Sequence, residues 1–275
     1  MRNKEGICFA IASAQMLYAI PELHEILSAN VHNVDKTFCG CRLLELFQAM
    51  SASDKEKADT ILKEFLANSG CILGKGWDTR AFTENILAYL MREEPKVTQL
   101  FQIGINATSR PILDPFTPEQ RLLIMNSRIP QIRHEYEEMT LLRLEKGASM
   151  QERIRNWFHT THRKYYIVDG RLNVSYSKVR EIETLPLYLL IGTYQTTSND
   201  VPEILDLSPY TQDNQPSKYE LIGFLSHTTA HAIAYIKNEA NWVEFDNQKK
   251  QSIHSLRNIR GRGIIFLYKR QNEDV

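Results

Sequence analysis

The sequence predicts an α+β fold, a helical first part followed by a strand-rich second part, on three observations. From residue 8 to about residue 100, apolar positions recur at spacings of three and four, the period of helices with one buried face. From residue 164 onward the apolar runs are short, rich in Tyr, Ile and Val, and separated by turn residues. The chain has 275 residues, 43% of them hydrophobic, enough to bury a sizeable core as one domain or two tightly joined lobes.

Taken in order, helices are expected over 8–20, 41–50, 54–68 and 79–92. Ser53 or Asp54 would cap the third, and Asp78 or Thr79 the fourth. The stretch 117–146 reads as further helix interrupted by Pro130, and 150–158 as a short helix. Strands are expected over 164–168 and 171–179, with Gly170 turning between them. Five more follow over 187–194, 219–225, 231–236, 242–245 and 263–269. Residues 198–200 and 208–217 read as polar loops, and no internal repeat interrupts the pattern.

Charge narrows the function classes. Thirty-three basic residues balance 33 acidic ones, which argues against a nucleic-acid binder. No apolar run approaches membrane-spanning length, and Arg2, Lys4 and Glu5 ahead of a short Ala-rich helix do not read as a signal peptide. Cysteines at 8, 39, 41 and 71 suit a reducing compartment, and the cytoplasm is the expected location. Cys39-Gly40-Cys41 is too tight for a zinc pair and has no partner pair, so no metal and no cofactor are expected.

Three residues in chain order can form a thiol-hydrolase triad: a cysteine nucleophile, a histidine base and an acid that orients the imidazole. Cys8 opens the Ala-rich run 8–20, so it would sit in a first helical turn, where unpaired N–H groups favour a thiolate. It equally reads as a small buried apolar residue. His231 and Asp246 lie on two consecutive expected strands. With Asn238-Glu239 as a two-residue turn, Lys237 faces Ala240, Tyr235 faces Trp242, and His231 faces Asp246 within hydrogen-bonding reach. Asn-Glu is not a favoured hairpin turn, and a three-residue loop over 238–240 would set His231 opposite Asn247 instead. The plainer alternative is an ordinary hairpin with a surface histidine and a turn aspartate.

Three groups of residues, in order along almost the whole chain, resemble the catalytic core of the ubiquitin-specific proteases. The first is Asn3, Cys8, Phe9, Gln15, Leu17 and Pro21. The second is Trp77-Asp78-Thr79-Arg80-Ala81-Phe82 with Ile86-Leu87. The third comprises Leu185-Pro186, Tyr219-Glu220-Leu221, Ala230-His231-Ala232-Ile233-Ala234-Tyr235, Trp242-Val243-Glu244-Phe245-Asp246 and Phe266-Leu267-Tyr268. The chain departs from the family pattern where Glu5 replaces a glycine, Ala230 and Ala232 flank the histidine, and the second group lacks its Gln and Glu.

The resemblance implies a papain-like cysteine protease fold in one catalytic domain over 1–275. It would have a helical thumb over 1–100, a variable helical region over 101–160 in place of the fingers, and an antiparallel β palm over 161–275, with no zinc-ribbon fingers. It implies a deubiquitinase that hydrolyses the isopeptide or peptide bond after ubiquitin's C-terminal glycine. Cys8, His231 and Asp246 would be catalytic, with the Asn3 amide at the oxyanion; Asn3 also reads as a mobile N-terminal residue. His227 competes with His231 as base, and Asn247 with Asp246 as orienter. Asp78 would meet arginines of the ubiquitin tail or simply cap its helix, and Tyr235 and Trp242 would line the substrate cleft. Trp77, Trp157 and Trp242 otherwise read as core, and Gln15 as structural. Ubiquitin or ubiquitinated proteins are the implied partners of a monomeric enzyme. A protease for another ubiquitin-like modifier, and an inactive ubiquitin-binding module, are the competing readings.

Overall fold

Apolar residues surround the first helix, α1 (Cys8–Tyr18), on every side, and Cys8 through Leu17 are all buried. A helix that is apolar all round belongs inside a protein. The computed structural model describes residues 7–29, 39–68, 78–127, 129, 131–145, 147–168, 170–196, 200–228, 231–247, 249–254, 256 and 262–271. The helix expected over 8–20 is α1, ending at Tyr18, and Pro21, which fits a first turn but cannot continue a helix, opens a further helix that was not expected, α2 (Pro21–Ala29). Then follow α3 (Cys39–Ser51), α4 (Lys55–Asn68), α5 (Thr79–Glu93) and α6 (Pro95–Phe101). Asp54 accepts from the Lys57 N–H at the head of α4, and Asp78 from the Arg80 N–H at the head of α5.

The remaining elements are β1 (Ile103–Pro111), α7 (Pro118–Met125), β2 (Arg133–Met139), β3 (Leu141–Arg143), α8 (Met150–Phe158), β4 (His159–Val168), β5 (Leu172–Thr184), β6 (Tyr188–Thr196), β7 (Ile204–Asp206), β8 (Lys218–His227), β9 (Ala232–Asn238), β10 (Asn241–Asp246), β11 (Lys249–Ile253) and β12 (Arg262–Arg270). They build two sheets. A four-stranded antiparallel sheet runs β2-β1-β5-β4, and an eight-stranded one runs β11-β10-β9-β8-β12-β6-β3 with β7 paired to β8. Gly170, at φ 67°, turns β4 into β5 as expected.

The central strands of the large sheet are buried on both faces, and alternation along β9 and β12 shows it. Ala232, Ala234 and Ile236 of β9, with Ile265 and Leu267 of β12, join the core made by α1 to α6. Ile233, Tyr235, Phe266 and Tyr268 join a second core with Met150, Ile154 and Phe158 of α8 and with Ile103, Ile105 and Ile182 of the small sheet. The alanines under α1 let helix and sheet approach closely. Glu22 of α2 accepts from the Tyr188 hydroxyl and from Lys269 Nζ, tying the helical lobe to β6 and β12.

The helix expected over 117–146 is a correction. Within it only Pro118–Met125 is helical among the described residues, and the region expected to replace the fingers with helices supplies β1, β2 and β3 beside α7 and α8, the last as expected over 150–158. Good helix formers over 133–139 become a strand because their charges are answered across the sheet. Lys178 of β5 reaches Glu135 Oε2 at 2.9 Å and also bonds Glu137, passing over Ala107 and Ser109 of β1, whose small side chains leave room. Tertiary pairing here overrides local propensity.

Candidate active site

Cys8 is the first residue of α1 and only 6% exposed. Ile7 precedes it at the N-cap and has no side chain that could fill the helix end. The positive end of the helix dipole therefore gathers at the thiol. The Phe9 ring meets Phe82 of α5 edge-on at 5.1 Å, and Ser13 Oγ lies 3.0 Å from Thr83 Oγ1. The first and second residue groups thus pack directly on each other.

The sheet face of α1 lies on β8, β9 and β10. His231 immediately precedes β9 and Asp246 ends β10. His231 Nε2 and Asp246 Oδ1 are 2.6 Å apart, with the side chains 25% and 15% exposed. The Thr228 N–H donates to the His231 carbonyl at 2.9 Å and fixes the backbone behind the imidazole. Gln15 Nε2 donates to the Asn247 carbonyl at 3.3 Å, so α1 grips the chain just past Asp246.

The expected register is corrected. The turn is Glu239-Ala240, with Glu239 at φ 53°, and Asn238 pairs with Asn241. Tyr235 therefore faces Glu244 and Trp242 faces Lys237. Extending this register sets Asp246 opposite Ile233, one step along from His231. The histidine and the acid meet diagonally, not head-on. A shift of two residues keeps every side chain on its face, whereas the one-residue slip that would present Asn247 would turn the face over. Asn247 sits instead at φ 53°, with Nδ2 3.4 Å from His231 Nε2 and 3.3 Å from Asp246 Oδ1. His227, the rival base, faces Ala232, and among the described residues no carboxylate bonds it.

Asp78 is a helix cap. It accepts from the Arg80 N–H at 2.8 Å, from Arg80 Nη2 at 2.8 Å and from Nε at 3.3 Å. The Arg80 guanidinium holds this half-exposed carboxyl below the usual carboxylate range, against a smaller opposing effect of burial. Asp78 and Arg80 line a cavity of about 310 Å³ with Ala81, Glu84, Arg143 and Gly192, where α5 meets β3 and β6. Arg143 of β3 bonds both oxygens of Glu84 on α5 across that junction.

Tyr235, expected at the substrate cleft, and Trp242, read both as a cleft residue and as core, are core residues. Tyr235 is fully buried and stacked on Phe224 at 4.7 Å, and Trp242 is 6% exposed in the same aromatic cluster. Asn3, Cys71 and Trp77 lie outside the described residues. Among the described residues, no group of three or more His, Cys, Asp or Glu side chains is placed to hold a metal ion. Two residues went unnoticed in the sequence. Glu244 was hidden within an apolar strand motif, and Arg80 lies two positions after an acid, a spacing that signals a cap pair only in hindsight.

The family model for ubiquitin carboxyl-terminal hydrolase matches residues 1–268. The chain belongs to that family. This hydrolase is a cysteine-type deubiquitinase of the ubiquitin-specific protease group, a thiol enzyme acting on ubiquitin. Its fold is similar to chains in solved SAGA DUB modules. With the Ubp8/Sgf11/Sus1/Sgf73 module bound to ubiquitin aldehyde, the TM-score is 0.74 at 15% identity, covering 99% of the hydrolase and 69% of that chain. A yeast SAGA module gives 0.74 at 16% identity, covering 99% and 68%. A Ubp8 module bound to monoubiquitin gives 0.73 at 15%, covering 99% and 69%. No curated protein matches the hydrolase in sequence.

Proposed function

We propose that Cys8, His231 and Asp246 are the nucleophile, base and orienting acid of this deubiquitinase. The observation that carries the reading is the 2.6 Å contact between His231 Nε2 and Asp246 Oδ1, beside the helix that Cys8 opens. With Nε2 committed to the carboxylate, Nδ1 is the imidazole nitrogen left to exchange a proton with the thiol. The Cys8 sulfur attacks the carbonyl carbon of ubiquitin's terminal glycine. His231 protonates the departing lysine amine, leaving a thioester, and then deprotonates the water that hydrolyses it. The Cys8 N–H and the Asn3 amide stabilise the oxyanion, about 3 kcal/mol for each donor. Asn3 is assigned on the resemblance alone. Asp78 receives a basic residue of the ubiquitin tail, displacing the Arg80 guanidinium. One copy of the chain supplies the whole unit and works as a monomer.

Cleavage of a fluorogenic ubiquitin substrate tests this. Cys8→Ala should abolish turnover while ubiquitin binding persists, and His231→Ala should fall nearly as far. Asp246→Ala should cost less, and adding it to His231→Ala should cost almost nothing more, because no imidazole remains to orient. His227→Ala should be mild. Multiplicative losses in the double variant, or a larger loss at His227 than at His231, would refute the assignment. A panel of modifier-based probes, compared with ubiquitin, tests the substrate.

A further inference from the structure

Beside the diagonal contact of His231 and Asp246 lies a second polar pair with no role in the chemistry above. Tyr235 and Glu244 face each other across β9 and β10, and the Tyr235 hydroxyl donates to Glu244 Oε2 at 2.8 Å. Tyr235 is fully buried and Glu244 only 5% exposed. Their surroundings are aromatic, with Phe224 stacked on Tyr235 and Trp242 beside Phe224. Burying a carboxylate in such a place costs stability, and replacing both members of such a pair by apolar side chains of similar shape is commonly neutral or stabilising, whereas removing one leaves the other buried and unsatisfied. Stability alone does not account for the pair.

Its position does. Residues 244 and 246 point to the same face of β10, about 7 Å apart along the strand. We propose that Glu244 is a positioning residue for the catalytic pair: its bond to Tyr235 pins the strand register that puts Asp246 within reach of His231, and its carboxylate adds negative potential behind Asp246. This rests on the reading of His231 and Asp246 given above. Among the described residues, the other charged and titratable groups on the elements packed around Glu244 have the following partners. On β9, Lys237 bonds Glu220 of β8 at 2.6 Å. On β11, Gln251 faces Glu244 and Lys249 faces Asp246, both exposed. In the covering core, the Arg153 guanidinium of α8 donates to the Gly147 carbonyl, the Tyr219 hydroxyl to the Pro186 carbonyl and the Tyr268 hydroxyl to the Pro202 carbonyl.

The pH dependence of kcat and kcat/KM on a fluorogenic ubiquitin substrate, measured alongside thermal melting, tests the proposal. Glu244→Gln keeps an acceptor for Tyr235 but removes the charge. It should move the whole pH profile to lower pH by roughly half a unit, since a negative charge opposes deprotonation of everything near it. KM should stay unchanged. The double variant Tyr235→Phe/Glu244→Met, which leaves neither group unsatisfied, should melt no lower than the wild type, yet lose kcat about tenfold, the separation that a purely structural role would not produce. Asp246→Asn serves as the reference. If Asp246→Asn lowers kcat while both Glu244 variants keep the wild-type profile and rate, Glu244 is not a positioning residue. If Asp246→Asn is also without effect, the reading of the catalytic pair has failed instead.

Discussion

The two sheets of this hydrolase hold their strands by opposite means. The large sheet is sandwiched between two cores, and each of β6, β9 and β12 sends alternate residues to either side. The small sheet is held on one face by Lys178 and Arg180 reaching acids across a middle strand of small residues. Burial on both faces writes itself into the sequence as a nearly unbroken apolar run with β-branched and aromatic residues. Charge pairing across strands leaves a string of Arg, His, Glu and Met that also suits a helix. The burial-held strands β6, β8, β9, β10 and β12 were expected from the sequence, as were β4 and β5 of the small sheet, whereas β2, which carries the paired acids, was expected as helix.

Three perturbations would break or sharpen this contrast. The largest is expected at the helix contact of the large sheet. Ala234→Leu would force bulk between β9 and α1, costing about 1–3 kcal/mol in denaturant unfolding and most of the turnover, because Cys8 and His231 ride on those two elements. A stable, fully active variant would mean that α1 does not lie tightly on β9. A smaller effect is expected in the small sheet. Lys178→Ala leaves Glu135 and Glu137 side by side without their shared cation, but both acids are partly exposed, so the cost is discounted to about 1 kcal/mol. Its kcat should match the wild type. A large loss of turnover from this variant would show that the two sheets are coupled.

The smallest effect concerns a partly buried thiol in the helical lobe, that of Cys39. Burial, helped by the nearby Glu93 carboxyl, pushes the Cys39 thiol up to about 12. Its protonated form therefore dominates throughout the neutral range, and its alkylation should stay slow until the solution is strongly alkaline. Timed labelling read by peptide mass spectrometry would show this, and rapid modification of Cys39 at pH 8 would contradict it.

Legibility within the site follows the same physics. The helix behind Cys8 was readable because it is rich in Ala and other apolar residues and Pro21 limits it. The pairing of His231 with Asp246 was readable only as a shared face. The register was misjudged by two residues because nothing in Asn238-Glu239-Ala240-Asn241 favours one tight turn over its neighbour. That error preserved the face, so the two residues still met. The burial of Tyr235 and Trp242 was less visible, since an aromatic residue in a strand reads alike whether it faces core or cleft. Glu244 could not be anticipated at all: a buried glutamate declares itself only when its tyrosine partner is found across the strand.

The placement of β12 has a consequence for how the enzyme is born. This strand, Arg262–Arg270, lies between β8 and β6, so the large sheet has a gap at its centre until that segment arrives. The clasp between Gln15 and Asn247 joins residues 232 positions apart. During synthesis the early helices can gather, but the sheet on which α1 must rest closes only when this late strand leaves the ribosome. A growing chain therefore carries its thiol on a helix with no finished sheet beneath it until β12 has been made.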